Sequence, residues 1–279
     1  MSEHLTVVAA SLELALIFAG GVFLWQLVVR PAARRRWTDA PLKAWDITLP
    51  EFLTFLLSIM VGTLATLYLA GGLARYFALR GDHRMVLNGT AAQCGMLLGI
   101  FFHRTSLLRR RTSAPTLPSR TGILTSGGAT FLVALPVLVA TAKGWELFLE
   151  ICGVPVQRQD LLRMFAHADS PGLLGSMILL AVVIAPATEE LVFRAGLFRY
   201  FRTRIPRVAA LLAPALIFAS LHVENWETLE GFASFAPLTV LAVVFSLAYE
   251  RTGRIGTPMV AHALFNLNTI LLIFAGVEP

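Results

Sequence analysis

The chain has 279 residues, of which 56% are hydrophobic and only 14% are charged, and its formal net charge is +6. This composition excludes an ordinary soluble domain and is typical of an integral membrane protein. The basic residues lie in short stretches between apolar runs. We therefore expect them to set the orientation in a lipid bilayer, and we expect no nucleic-acid partner.

Eight apolar runs predict membrane-spanning helices, because a helix needs about 20 mainly apolar residues to cross the bilayer core. We therefore predict an all-α fold, a polytopic membrane helix bundle with about eight transmembrane helices in a single integral membrane domain, residues 1–279. Residues 1–170 supply helices of generic membrane character, and residues 171–279 supply the helices that carry the motifs described below. The third run carries the polar residues Asn88 and Gln93. The predicted spans are Leu5–Val29, Phe52–Ala78, Val86–Phe102, Gly122–Ala142, Pro171–Ile205, Val208–Val223, Phe235–Tyr249 and Thr257–Ala275.

Charge placement predicts the orientation of these helices. Most of the 23 basic residues fall in loops on one side of the membrane, and the positive-inside rule then places both termini on the non-cytoplasmic side. The outer side receives an acidic loop with Glu224, Glu227 and Glu230. The segment Val156–Ala168 fits a helix on the membrane surface and a solvated turn equally well. We expect a multi-pass protein of the bacterial inner membrane.

The stretch Pro186–Tyr200, with the sequence PATEELVFRAGLFRY, places two adjacent glutamates and an arginine in apolar surroundings. An ionisable group at membrane depth costs about 2.5–3.5 kcal/mol on insertion scales, so such a group indicates function. Residues four apart share one face of a helix, so we predict that Arg194 pairs with Glu190 and that Glu189 points elsewhere. The structural alternative is a helix end whose charged residues are solvated.

Two histidines on later helices offer partners for this cluster. His222 follows Phe218 in FASLH, and His262 precedes Asn266 in HALFN. A single histidine on an apolar helix is often only a hydrogen-bonded packing residue. Counted from the basic helix ends at about 1.5 Å per residue, however, Glu189, His222 and Asn266 all lie roughly 14–20 Å deep. We therefore predict that these side chains meet near the bilayer midplane.

The chemistry of these groups is complementary. A buried carboxylate beside a histidine can take a proton from water, which yields a nucleophile without a covalent intermediate. Asn266 and His262 can donate hydrogen bonds to a developing oxyanion, and such bonds are stronger where water is excluded. Serine nucleophiles fit less well, since the chain has no GxSxG motif. Polar residues on several helices also describe an ion or proton path, so a transporter or channel is the alternative function.

Taken together, three motifs resemble those of the CPBP family, the CAAX-protease and bacteriocin-processing group that includes Abi and Rce1-like proteins. EELVFR at Glu189–Arg194 matches EExxxR, FASLH at Phe218–His222 matches FxxxH, and HALFN at His262–Asn266 matches HxxxN. The motifs occur in order on successive apolar helices. The resemblance runs from the fifth predicted span to the end of the chain, whereas the first half resembles the family only as generic membrane helices.

The resemblance implies an intramembrane glutamic-type endopeptidase that hydrolyses a peptide bond near the membrane face. Its partners would be the lipid bilayer and a membrane-associated protein or peptide substrate, such as a CAAX-like tail, a bacteriocin-like peptide or a C-terminal sorting tail. The implied roles are catalytic base for Glu189, water activation for His222, oxyanion support for Asn266 and His262, and maintenance of the site's shape for Glu190 and Arg194.

The resemblance implies no cofactor. The metal-dependent alternative is a zinc membrane protease, because the glutamates and histidines of the motifs are possible zinc ligands. The spacing does not favour it: the chain has no HExxH motif, and Phe193 stands where a di-iron ExxH motif needs histidine. A further alternative is a catalytically silent member of the family that acts as a scaffold or binding partner.

Overall fold

The computed structural model describes residues 3–26, 30, 42, 45–108, 120–154, 165, 170–223, 226, 229 and 231–275. Within these ranges the chain is helical and has no strand, so the predicted all-α fold is confirmed. The helices are α1 (Glu3–Leu24), α2 (Leu49–Tyr76), α3 (Gly81–Leu108), α4 (Arg120–Ile151), α5 (Pro171–Phe201), α6 (Arg207–Ser220), α7 (Phe235–Thr252) and α8 (Gly256–Phe274).

Six stretches of the described chain are long and apolar enough to cross a membrane, and they lie in α2, α3, α4, α5, α7 and α8. Helices α1 and α6 contribute shorter apolar stretches, Leu14–Phe23 and Arg207–Ser220. Each predicted span therefore corresponds to a helix, and six of the eight meet the length and hydropathy needed to cross a membrane within the described residues. Helix α4 continues beyond the predicted end at Ala142, whereas α6 ends before the predicted Val223.

Some predictions concern residues that the structure does not describe. The segment Val156–Ala168 lies outside the described residues except for Phe165, and so does the acidic loop of Glu224, Glu227 and Glu230. The same holds for the basic stretches 34–36 and 109–111, which carry much of the orientation argument. The orientation in the membrane remains a prediction.

Side chains mark where two of the helices begin. Helix α2 starts with a capping box, in which the Glu51 backbone N–H donates to the Thr48 hydroxyl and the Glu51 carboxylate accepts from the Thr48 N–H at 2.8 Å. Helix α5 starts with Ser170, whose hydroxyl accepts from the Leu173 N–H at 3.2 Å. Pro171 follows in the first turn, where a missing N–H costs nothing, as the sequence predicted.

The described chain forms two compact units, each assembled from three separate segments. The first unit comprises residues 1–43, 121–159 and 204–261, and the second comprises residues 44–120, 160–203 and 262–279. Both units therefore combine early and late parts of the chain. The predicted organisation as a single membrane domain, with generic helices before residue 171, remains a prediction.

In the first unit, polar contacts join residues that lie 43 and 87 positions apart in the sequence. Glu250 on α7 is buried and pairs with Arg207 at the start of α6, with the Nε–Oε1 distance at 3.3 Å and a second, shorter bond between Nη2 and Oε2. The Trp145 indole on α4 donates to the Phe232 carbonyl at 2.9 Å. These contacts place polar groups at helix ends or against backbone, where they are satisfied.

In the second unit, α2 and α3 pack so closely that only glycine fits at the contact. A Cβ atom on Gly99 would lie 2.6 Å from the Ile59 Cα, and one on Gly95 would lie 2.6 Å from the Thr63 Cα. The Thr66 hydroxyl reaches across to the Ala91 carbonyl at 2.7 Å. Small residues permit this approach, and van der Waals contact then holds the helices together within the lipid phase.

We expect Gly99→Ala to destabilise the protein by about 1–3 kcal/mol, because the added methyl group forces the two backbones apart. Gly72→Ala on α2 is the matched control, since no atom lies within 4 Å of a Cβ at that position. There the substitution stabilises the helix by about 0.5–1 kcal/mol. Thermal unfolding in detergent measures both changes, and equal stability of the two variants would contradict the close packing.

Candidate active site

Helix α5 carries the two adjacent glutamates and is not uniformly α-helical. Two π-helical segments, Leu180–Ile184 and Leu191–Phe198, flank a short α-helical segment, Ala185–Glu190. Glu189 and Glu190 lie at the end of that short segment. A π-turn widens the helix and redirects the side chains that follow it, and it occurs frequently at functional sites.

Pro186 explains one backbone contact in this region. The Ala185 N–H donates to the Leu180 carbonyl, five residues earlier, and in the same register residue 186 would donate to the Ala181 carbonyl. Proline has no N–H and cannot do so. The Asn266 side-chain amide on α8 donates to the Ala181 carbonyl instead, at 2.7 Å. Asn266 therefore supplies the hydrogen bond that Pro186 cannot make.

Glu190 lies at the centre of a buried polar cluster. Its Oε1 atom accepts a hydrogen bond from the Arg194 Nη1 at 2.7 Å, and the His262 Nδ1 lies 2.9 Å from the same oxygen. The Glu190 and Arg194 side chains are 0% and 1% exposed. The predicted pairing of Glu190 with Arg194 is confirmed, and the solvated helix end is excluded for these two side chains.

The contact with Glu190 sets the protonation pattern of His262. An ionised carboxylate can only accept hydrogen bonds, so the His262 Nδ1 carries the proton that it donates to Glu190. In the neutral ring, Nε2 is then an acceptor. This atom lies 3.8 Å from the Glu189 Oε2. His262 can therefore receive a proton next to Glu189, and in its charged form it can donate from Nε2.

Glu189 has different surroundings from Glu190, although the two are adjacent in sequence. Its side chain is 14% exposed, and it makes no contact with Arg194 within salt-bridge distance among the described ion pairs. Its Oε1 atom accepts a hydrogen bond from the Gln93 Nε2 on α3 at 3.3 Å. The sequence analysis identified Gln93 only as a polar residue in an apolar run and did not predict its contact with Glu189. The structure thus separates a buried glutamate, bonded through its Oε1 to Arg194 and His262, from one that remains accessible.

His222 belongs to the first unit, whereas the other predicted site residues belong to the second. The sequence placed His222 inside the sixth span, which is wrong: α6 ends at Ser220, and His222 lies in the turn that follows. Its Nδ1 lies 2.7 Å from the Phe218 carbonyl, and the two rings are 4.5 Å apart between centroids. Nδ1 therefore carries the proton, which leaves Nε2 as an acceptor in the neutral ring. The participation of His222 in the candidate site remains a prediction.

Within the described ranges, no group of three or more histidine, cysteine, aspartate or glutamate residues is arranged to hold a metal ion. The His262 Nδ1 is already bonded to Glu190, so only its Nε2 faces Glu189. The expectation that the protein needs no cofactor remains a prediction.

Comparison with known proteins bears on the same part of the chain. Residues 171–268 match the Rce1-like family of type II CAAX prenyl endopeptidases. This range includes all three motifs on which the predicted resemblance depends, and the resemblance is confirmed over these residues.

A curated relative comes from Mycoplasma capricolum subsp. capricolum, where it is described as an uncharacterized protein. It is 30% identical over 99 residues, which make up 35% of this chain and 27% of that protein. The matched region therefore spans about a quarter of the relative's length. No solved structure matches the chain at a significant level.

We expect Arg194→Met to cost about 3–5 kcal/mol of stability, because it leaves the buried Glu190 carboxylate without its cation. A second substitution, Glu190→Met, should recover part of this loss, since removing both charges also removes their desolvation cost, while the buried His262 Nδ1 loses its acceptor. Arg204→Met, at an exposed arginine just after α5, is the control. Unfolding midpoints of the single and double variants measure the coupling; an Arg194→Met variant as stable as the parent would contradict the buried ion pair.

We expect Asn266→Leu to lower the free energy of unfolding by about 1–3 kcal/mol, because the Ala181 carbonyl then lacks a donor. Asn268→Leu is the matched control on the same helix, since the Asn268 side chain makes no hydrogen bond with the described residues. Thermal unfolding of the two variants measures the difference in their stability. If both lose the same stability, the contact with Ala181 does not stabilise the helix.

Proposed function

We propose that the protein is an intramembrane endopeptidase and that Glu189 is its general base. The observation that carries this proposal is the contrast between the two adjacent glutamates. Glu190 is buried and bonded to Arg194 and His262, whereas Glu189 is partly exposed and is held by Gln93 alone on one oxygen. The match of residues 171–268 to an endopeptidase family supports the reaction class.

The reaction begins with a water molecule next to Glu189. The carboxylate takes a proton from this water as its oxygen adds to the peptide carbonyl, which gives a tetrahedral oxyanion. Charged His262 donates from Nε2 to this oxyanion, and His222 assists in orienting the water. When the C–N bond breaks, Glu189 returns its proton to the departing amine. The products are a carboxylate and an amine, and no covalent intermediate forms.

Glu190 and Arg194 have a supporting role in this proposal. Their ion pair holds the His262 ring through its Nδ1 and directs Nε2 toward Glu189. Asn266 holds the backbone ahead of the glutamates through Ala181, and its second amide N–H is the proposed donor to the oxyanion. Preorganised donors of this kind contribute more in a site that excludes water than they do in bulk solvent.

The proposed substrate is a membrane-associated protein or peptide that is cut near the membrane face. The family is described by its action on CAAX prenyl proteins, which favours a C-terminal tail, whether CAAX-like or a sorting tail, over an internal loop. A bacteriocin-like peptide is the other candidate. We place the enzyme in a bacterial inner membrane, and we propose that it needs no metal.

We expect Glu189→Gln and His222→Ala each to abolish cleavage of a membrane-tethered peptide, because each removes a group that activates the water. Removal of a general base typically slows a reaction by about 10²–10⁴-fold. Glu146→Gln is the control, since Glu146 pairs with Lys143 at a partly exposed position on α4. The purified variants are reconstituted in vesicles, and peptide products are followed by mass spectrometry.

Three outcomes of this experiment count against the proposal. Full cleavage by Glu189→Gln shows that Glu189 is not the base. Stoichiometric zinc in the purified protein, with activity lost on chelation, identifies a metal-dependent protease. Ion flux through the vesicles without cleavage of any peptide identifies a transporter or channel.

A further inference from the structure

Gln93 lies on α3, outside the residues that match the family and outside all three sequence motifs. One face of α3 nevertheless packs against α5. Val86 contacts the core around Leu173 and Met177, and a Cβ on Gly89 would lie 3.0 Å from the Leu180 side chain. Gln93 follows at helical spacing on this face. Its amide is therefore positioned against the glutamates by the packing of two helices.

Each oxygen of Glu189 has a different neighbour. The Gln93 Nε2 donates to Oε1 at 3.3 Å, and the His262 Nε2 lies 3.8 Å from Oε2. The other charged groups of the cluster, Glu190 and Arg194, are bonded to each other. Gln93 is thus the residue whose hydrogen bond fixes the direction of the Glu189 carboxylate within the described part of the chain.

The other half of the Gln93 amide has no such partner. Its Oε1 atom is buried and accepts no hydrogen bond from the described residues. A buried, unsatisfied carbonyl oxygen is unfavourable, so a residue that only filled space at this position would be better replaced by leucine or methionine. The buried oxygen is therefore available to accept a hydrogen bond when a donor arises beside it.

We propose that Gln93 is a positioning residue that hydrogen-bonds the Glu189 carboxyl group in both of its protonation states. The N–H₂ group donates to the ionised carboxylate. When Glu189 takes a proton from water, the amide turns by about 180° about its terminal torsion, which is roughly two-fold, and Oε1 accepts from the new O–H. The turn reverses when the proton leaves with the amine product. The catalytic consequence rests on the proposed function, but the hydrogen bonds do not.

An amide is well suited to this task. It carries both a donor and an acceptor, and these exchange places with almost no change of shape. A lysine or arginine at the same position could donate but not accept, and it would add a charge to the cluster of Glu190, Arg194 and His262. A methionine has a similar length but offers neither bond, and this makes Gln93→Met the informative variant.

Infrared difference spectra test the hydrogen bonds without reference to activity. The bands of Glu189 are identified by their loss in Glu189→Gln. We expect Gln93→Met to shift both the carboxylate stretch of the ionised form and the carbonyl stretch of the protonated form. Cys94→Ala, at the exposed neighbouring residue on α3, should shift neither. A shift of the carboxylate band alone shows that Gln93 only donates, and unshifted bands overturn the proposal altogether.

Kinetics test the consequence for catalysis. We expect Gln93→Met to lower kcat by about 10–100-fold, because a misplaced reacting group costs up to about 10²-fold in rate, with KM changed by less than about twofold. Gln93→Asn keeps the amide but shortens its reach, and an intermediate kcat is expected. If Gln93→Met does not fold, both measurements are made on Gln93→Asn. A folded variant with unchanged kcat overturns the positioning role.

The two proposals fail in different ways. If the infrared bands shift but neither the parent nor Cys94→Ala cleaves any peptide, the positioning contact stands and the proposed function fails. If the parent cleaves peptide and Gln93→Met does so equally well, the proposed function stands and the role of Gln93 fails.

Discussion

The buried ion pair of Glu190 and Arg194 is the interaction on which the rest of the site depends. Neither charge is tolerable alone in an apolar helix bundle, and their separation by one helical turn lets a single helix satisfy both. The same carboxylate oxygen also bonds to His262 on α8. One local pairing thereby fixes the ring of a distant residue, and that ring in turn faces Glu189.

The backbone of α5 departs from regular α-helical geometry around the glutamates. Two π-helical segments flank the glutamates, and Pro186 removes a donor between them. Asn266 compensates for the missing donor by bonding to the Ala181 carbonyl. The HxxxN motif on α8 therefore contacts α5 at the two glutamates through His262 and at the backbone through Asn266. A substitution of Asn266 would therefore also act on the backbone of α5, apart from its proposed role in the chemistry.

Contacts within one helix could be predicted from the sequence more readily than contacts between helices. The i, i+4 spacing was enough to predict the pair of Glu190 and Arg194, since both lie on one turn of one helix. The contact of Gln93 with Glu189 spans 96 residues, and nothing in the spacing of α3 indicates which of its polar residues faces α5. The end of α6 before His222 was also missed, because the apolar run continues past the last helical turn. The roles assigned to the motif residues remain predictions.

The glycine contact between α2 and α3 has a consequence beyond the stability of that helix pair. Gly95 and Gly99 hold one side of α3 against α2, while Gly89 and Gln93 lie on the side that meets α5. Helix α3 thus lies between α2 and the glutamates, and α2 also meets α5 directly further along the chain, where the Phe52 and Tyr200 rings stack with their centroids 3.7 Å apart. A larger side chain on the α2 side would displace the Gln93 amide from Glu189, so the geometry of the carboxylate is controlled from a helix that contributes no residue to the site.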